Sequence, residues 1–319
     1  MRPDRPLWRR TPPAIFPVTL GVMGLGLGWR NAGDVLPIAH EIGDVMLGFS
    51  MAFYLYFLFF FLRKLTARPG VIFEDMQSPP ARAGVAAGAM SMMLLAAAFL
   101  PFGVTASEVW WAGVVLQIGA SSVGAYAIWK DSPGEREFTP FQYLTFVGPV
   151  VAPIAGVPLG HVVASTWLSV VALIAYVVIT AGYGRQLLRR RPAFPLRPTL
   201  VIFLAPNCLF ALSFGLLGHD FLFWAFYLLA DAVALVLLGL SPWLTAGGWT
   251  PIWSSFTFPL AAFLNMQVLA VAKGAGIFAV VGTYATLALA TPVIFYVVYR
   301  SVMDWVTGAL AEKTRSATA

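Results

Sequence analysis

Along this chain, long uncharged runs alternate with short charged ones. Apolar segments fall at 14–29, 37–62, 82–100, 107–129, 141–159, 160–184, 198–217, 220–241, 251–271 and 276–299. Most reach the roughly 20 apolar residues that a helix needs to cross a bilayer's hydrocarbon core. The pattern predicts ten transmembrane helices, with the fifth and sixth nearly touching.

The odd-numbered segments share a way of starting. Proline stands at Pro12, Pro79, Pro140, Pro198 and Pro251, preceded by Thr11, Ser78, Thr139, Arg197 and Thr250 or, in two cases, followed by a second proline. Proline suits the first helical position, and Ser or Thr before it suits the N-cap. No even segment begins this way, so the chain reads as five tandem helical hairpins. A further proline follows inside four of the odd segments: Pro17, Pro149, Pro206 and Pro259, with Ala89 at the equivalent place in the third. Inside a helix, proline removes a hydrogen bond and clashes with the preceding turn. Within a membrane it is tolerated where neighbouring helices or a water-filled cavity satisfy the freed carbonyl. Pro259 frees that of Ser255, and Pro206 that of Ile202. Such prolines also serve simply to pack helices; their recurrence in one helix of each hairpin favours an inner ring of bent segments. Past Arg82 at the start of the third, the odd segments hold no Asp, Glu, Lys, Arg or His until Lys273, and their hydrogen-bonding groups are mainly Ser, Thr, Asn and Gln, so a pore lined by them is neutral, narrow and weakly polar.

Composition and charge agree. Hydrophobic residues make up 59% and charged residues 11%, where a soluble domain carries about 25% charged. The net charge of +6 does not point to nucleic acid, because the charges cluster between the apolar runs. With the N-terminus, the loops after even helices and the C-terminus on one side, that side takes all but Arg30 and Lys273 of the 20 Lys and Arg residues. The positive-inside rule then puts both termini in the cytoplasm of a multi-pass plasma (inner) membrane protein. The expected organisation is an N-terminal tail (1–13), a ten-helix channel domain (14–301) and a C-terminal tail (302–319). The single cysteine, Cys208, forms no intrachain disulfide. No phosphate loop, dinucleotide motif, catalytic triad or zinc-spaced ligand set is present, so no enzyme activity, cofactor or metal is expected.

The five hairpins together with "SPPARAG" (78–84), "LAPNCL" (204–209), "SPW" (241–243) and "SSFTFPLAA" (254–262) resemble the TehA and plant slow-anion-channel family, also called the tellurite-resistance/dicarboxylate transporter family. The resemblance covers nearly the whole chain. It implies an all-α fold of five hairpins in a quasi-five-fold ring, with proline-kinked odd helices lining a central pore, assembled as a homotrimer in membrane lipid. It also implies a phenylalanine gate in the "TFP" setting, here Phe258. Plant members carry aromatic residues in the third helix where this chain has Val85, Ala86 and Ala87, so occlusion rests on Phe258 and on aromatics such as Phe16, Phe146, Phe203 and Phe256. Thr19, Thr145 and Thr257 complete the candidate lining with Val85 and Ala86. Expected function is an anion channel for small anions; the alternative is a proton-coupled carrier of C4-dicarboxylate, sulfite or tellurite-type oxyanions. Asp231, the one ionisable residue near the middle of a span, is a candidate for proton coupling, set against a purely structural hydrogen-bonding role.

Overall fold

The computed structural model describes residues 6–130 and 137–318. Arg2, Arg5 and Arg136, counted above on the basic side, lie outside them. Among the described residues the protein is helical and contains no strand. Its long helical segments are α1 (Phe16–Val35), α2 (His40–Ala67), α3 (Pro79–Phe99), α4 (Ser107–Lys130), α5 (Tyr143–Gly156), α6 (Val162–Arg189), α7 (Phe194–Leu216), α8 (Asp220–Gly239), α9 (Pro251–Ala272) and α10 (Ile277–Thr307). Eight of them, all except α1 and α5, are long and apolar enough to cross a membrane. The hydropathy of α1 is diluted by Gly21, Gly24, Gly26 and Gly28 and by a polar end at Arg30, Asn31 and Asp34, and α5 is short.

The prolines mark where the odd segments change helical type. The α-helical part of α1 begins at Phe16, after a 3-10 turn at Pro13–Ile15, and Pro17 follows at once. In α7, 3-10 helix over Phe194–Phe203 gives way to α-helix at Leu204, two residues before Pro206. In α9 the change falls between Phe256 and Thr257, two residues before Pro259. The α5 segment opens as a π-turn (Tyr143–Val147), passes through 3-10 helix at Gly148–Val151, which contains Pro149, and ends as α-helix. The α3 segment, with Ala89, is continuous α-helix. In α1, α7 and α9 each of these prolines therefore stands in the first turn of an α-helix, where its missing N–H is no loss. Only Ser78 caps as its sequence predicts, accepting from the Ala81 amide at 3.4 Å. Thr11 instead donates to the Leu7 carbonyl, and Thr250 opens a 3-10 turn uncapped.

Carbonyls released in α5 find partners on α4. Pro149 leaves the Thr145 carbonyl without its helical donor, and Gln117 Nε2 (3.0 Å) and Ser121 Oγ (2.6 Å) supply it. Gln117 also reaches the Leu144 carbonyl, and Trp110 Nε1 that of Ala152.

Each odd segment packs on the even one that follows it, and the odd segments touch one another: α1 with α3, α3 with α5, α5 with α7, α7 with α9, and α9 with α1. Burial divides in the same way. In the most apolar stretch of α3 and of α7, 78% of residues are buried, against 17% for α8, so the odd segments form the interior. The outer helices show Phe59, Val115, Val171, Leu235 and Val281 to the surroundings, as expected where the solvent is lipid. Small residues bring α1 and α9 close: a Cβ on Gly21 would stand 2.4 Å from Thr257 Cβ, and one on Gly28 2.4 Å from Leu264 Cδ2.

The C-terminal segment folds back onto the helices. The α10 helix runs past the expected boundary at 301 and stops at Gly308, whose φ of +85° is a left-handed termination. A short helix (Ala309–Lys313) follows. Beyond it, the Ala317 amide donates to Asp75 Oδ1 at 2.7 Å. Asp75 also pairs at 2.9 Å with Lys64 of α2, and both side chains are fully buried. Lys64 in turn donates to the Thr11 carbonyl, and Trp305 Nε1 to the Thr11 hydroxyl.

Candidate functional site

Two cavities lie between the odd segments, one toward each end. The first, about 430 Å³, is walled by Ala14 and Pro17 of the N-terminal stretch, Ala83 of α3, Leu144 of α5, Ile202 and Ala205 of α7, and Ser254 and Ser255 of α9. The second, about 390 Å³, is walled by Gly24, Leu27 and Asn31 of α1, Leu94 and Ala97 of α3, Ile154 of α5, Leu209 and Leu212 of α7, and Ala262 and Asn265 of α9. Phe258 is the residue common to both walls.

The phenyl ring is 5% exposed. With Met90 of α3, Leu144 and Val147 of α5, and Ile202 and Leu209 of α7, it bounds a further void of about 20 Å³. On its other side is α1: a Cβ on Gly24 would lie 3.9 Å from the ring carbons. The ring therefore has neighbours on all four other odd segments. Side-chain hydrogen bonds fasten its helix, α9, to α1 on both sides of it. Thr257 Oγ1 donates to the Pro17 carbonyl at 3.0 Å, and Asn265 Nδ2 to the Gly24 carbonyl at 2.7 Å.

The lining follows a helical face. On α9 it runs Phe258, Ala262, Asn265, Leu269, Ala272, and on α7 Ile202, Ala205, Leu209, Leu212, Leu216, which is the three–four spacing of one α-helical stripe. Of the gate and kink residues named from sequence, Phe258, Pro17 and Pro259 border the cavities. Pro206 borders the small void beside the ring and Pro149 none of these spaces.

The remaining lining candidates stand elsewhere. Phe16 packs edge-on against Tyr54 and Phe61 of α2 and over Gly88 of α3. Thr19 is fully buried, donating to the Phe16 carbonyl and touching Ser91 Oγ at 3.3 Å. Val85 is half-buried against the core and Ala86 fully buried. The Thr145 methyl faces Gly124 of α4, and Phe146 borders an outward-facing groove between α4, α5 and α6. Phe203 sits against Tyr143 and Tyr183, Phe256 against Trp253, and Thr257 in the α1–α9 contact. The residues that do line the cavities beside Phe258 are mostly small or aliphatic. Type alone did not mark them; their register with Phe258 does.

Asp231 borders neither cavity. It is half-buried on α8 and accepts from Gln267 Nε2 of α9 at 2.7 Å, while Tyr227 Oη donates to Gln267 Oε1 at 3.0 Å. Among the described residues no group of three or more His, Cys, Asp or Glu is arranged to hold a metal.

An all-helical, multi-pass membrane protein with apolar cavities between its interior helices belongs to the class of membrane channels and transporters. Within that class the chain belongs to the voltage-dependent anion channel (SLAC1) family, whose signature matches residues 10–302. No curated protein sequence matches it.

Proposed function

We propose that the protein is an anion channel in which all ten helices cross the membrane as five hairpins in a quasi-five-fold ring. The odd helices surround a neutral conduit, and the Phe258 ring stoppers it. The observation that carries this reading is the position of Phe258 as the shared wall of two cavities that all five odd segments line. The succession of odd-to-odd contacts, with α9 returning to α1, supports the ring. The permeant species are small, weakly held anions. The lining offers hydroxyls and amides at Ser254, Ser255, Asn31 and Asn265 and no cation at mid-depth. Conduction needs sites from which ions leave as readily as they enter, whereas a carrier holding a dianion needs arginine or a helix terminus aimed at it. The clustering of cations and the family likeness support cytoplasmic termini, a plasma (inner) membrane location and a homotrimer, each protomer with its own pore. The second reading, a proton-coupled oxyanion carrier, draws on Asp231, whose carboxylate is tied through Gln267 to the gate-bearing helix. Reversal potentials under ion substitution decide between the two. A channel's follow the anion gradient alone; reversal potentials that shift with the pH gradient at a fixed anion gradient establish the carrier.

A further inference from the structure

The two cavities differ in charge. Among the described residues, the first has one charged residue in its wall, Lys313, beside Thr314 of the folded-back C-terminal segment. The second also has one, Asp34 at the end of α1. Neither charge is cancelled by its surroundings. Lys313 Nζ lies 3.2 Å from both Asp304 oxygens, but Asp304 Oδ2 also accepts from Trp249 Nε1 at 3.0 Å. The Arg300 guanidinium stands 4.8 Å over the Trp249 ring. Lys313, Arg300 and Arg10, which donates to the Val306 carbonyl, against Asp304 and Glu312 leave one positive charge. At the opposite mouth Arg30 is shared between Asp34 Oδ1 and Asp44 Oδ1, each at 2.9 Å. His40 contacts Arg30 and lies 3.5 Å from Asp34. Arg30 against Asp34 and Asp44 leaves one negative charge. The other cation at that end, Lys273, is paired with Asp220.

We propose that Lys313 and Asp34 give the conduit a fixed charge asymmetry across the Phe258 barrier, so that anions pass more readily from the Lys313 cavity toward Asp34 than in reverse. This rests on the channel reading above. Lys313 is 47% exposed in its pair, so the pair is loose and the ammonium remains free to meet an anion in the vestibule. A unit charge about 8 Å from the ion path in water changes the local anion concentration roughly two- to threefold. The two charges act on opposite limbs of the current–voltage curve, because each sets the supply of anions at its own entrance.

The test uses the full-length protein carrying Phe258→Ala, reconstituted in planar bilayers with symmetric chloride at about 0.01 M, where the screening length is about 30 Å, and about 1 M. The expected result at low salt is a curved current–voltage relation. Lys313→Gln lowers the larger limb two- to threefold, Lys313→Arg retains it, and Asp34→Asn raises the smaller limb. At high salt, where the screening length falls to roughly 3 Å, these differences shrink toward one. A steric effect of the substitutions would survive high salt, and that outcome overturns the proposal. So do currents whose limb ratio is unchanged in both Lys313→Gln and Asp34→Asn at low salt. The absence of any anion current with Phe258→Ala overturns the channel reading as well, which separates the two failures.

Discussion

Truncating Phe258 to Ala removes the one side chain that bounds both cavities, and the structure sets the size of the effect. The ring is 5% exposed in its seat. To open the path it must swing out and surrender most of its packing, which for a buried phenylalanine is about 1.5–3 kcal/mol. At roughly 1.4 kcal/mol per tenfold in population, the occluded arrangement is favoured roughly ten- to hundredfold. Phe258→Ala should therefore raise macroscopic anion current by that factor at equal folded protein. Leu should give an intermediate rise and Trp none. The fold should survive, because the ring already borders three voids and the large-to-small penalty of about 3–5 kcal/mol for a tightly packed core applies only in part. The assay is whole-cell or bilayer current normalised to monodisperse protein by size exclusion. Ala and Leu variants that fold normally yet conduct within about twofold of wild type would refute the reasoning.

Three further predictions concern the α1–α9 contact beside Phe258, the support of α5 and the anchoring of the C-terminal segment. Gly21→Ala places a methyl 2.4 Å from Thr257 Cβ, beside the gate; overpacking of about 1–3 kcal/mol should lower the melting temperature of the detergent-solubilised protein. Gln117→Leu takes a donor from the Thr145 and Leu144 carbonyls, at a cost of about 1–3 kcal/mol in the same melting assay; an unchanged melt would show that Ser121 or water serves α5 without it. Lys64→Met leaves Asp75 buried without its partner, which should cost about 3–5 kcal/mol. The double variant Lys64→Met with Asp75→Leu should recover much of that loss, and proteolysis of the C-terminal segment should follow the same order.

Much of the fold was legible because hydropathy and proline punctuation carry it. The segment read as 251–271 is Pro251–Ala272, and 220–241 is Asp220–Gly239. The misreadings have physical causes. Hydropathy locates the hydrocarbon core, not the end of hydrogen bonding, so α10 continues through Arg300 and Asp304 until Gly308 stops it. The expected tail 302–319 is instead partly helix and partly a strap joined to Asp75, a pairing across most of the chain that no local pattern announces. Phe258, the shared wall of the two cavities, was singled out through the family resemblance by its "TFP" setting. Its companions were not, since polar and aromatic character was followed rather than the face one or two turns away. Counting four and seven positions on from Phe258 gives Ala262 and Asn265, both in the wall; counting from Phe16 or Phe146 leads to helix contacts and to the outward groove.

Two of the prolines mark a change of pitch along that face. In 3-10 helix, residues three apart eclipse one another, so Ser255 of the 3-10 turn stands in line with Phe258. In α-helix the same line is kept by alternating steps of four and three, through Ala262, Asn265 and Leu269. A segment that were α-helical throughout would keep Ser255 within the stripe but set it about 60° off Phe258, and one that were 3-10 throughout would leave the line at Ala262, the first step of four. With the change of pitch at Phe256 and Thr257, a single stripe borders both cavities and Phe258 falls at their junction. The α7 segment does the same: Ile202 to Ala205 is a step of three across its own transition, and steps of four and three then lead to Leu209 and Leu212. Pro259 and Pro206 make the change inexpensive, because a residue without an N–H is best placed in the first turn of the α-helix it begins. Pro259→Ala should then extend α-helix toward Pro251 and rotate Ser255 by about 60° from the Phe258 line toward the edge of the lining stripe. Cysteine accessibility at position 255, probed with thiol reagents in wild-type and Pro259→Ala backgrounds, tests this directly: equal labelling in both would show that the pitch change does not depend on the proline.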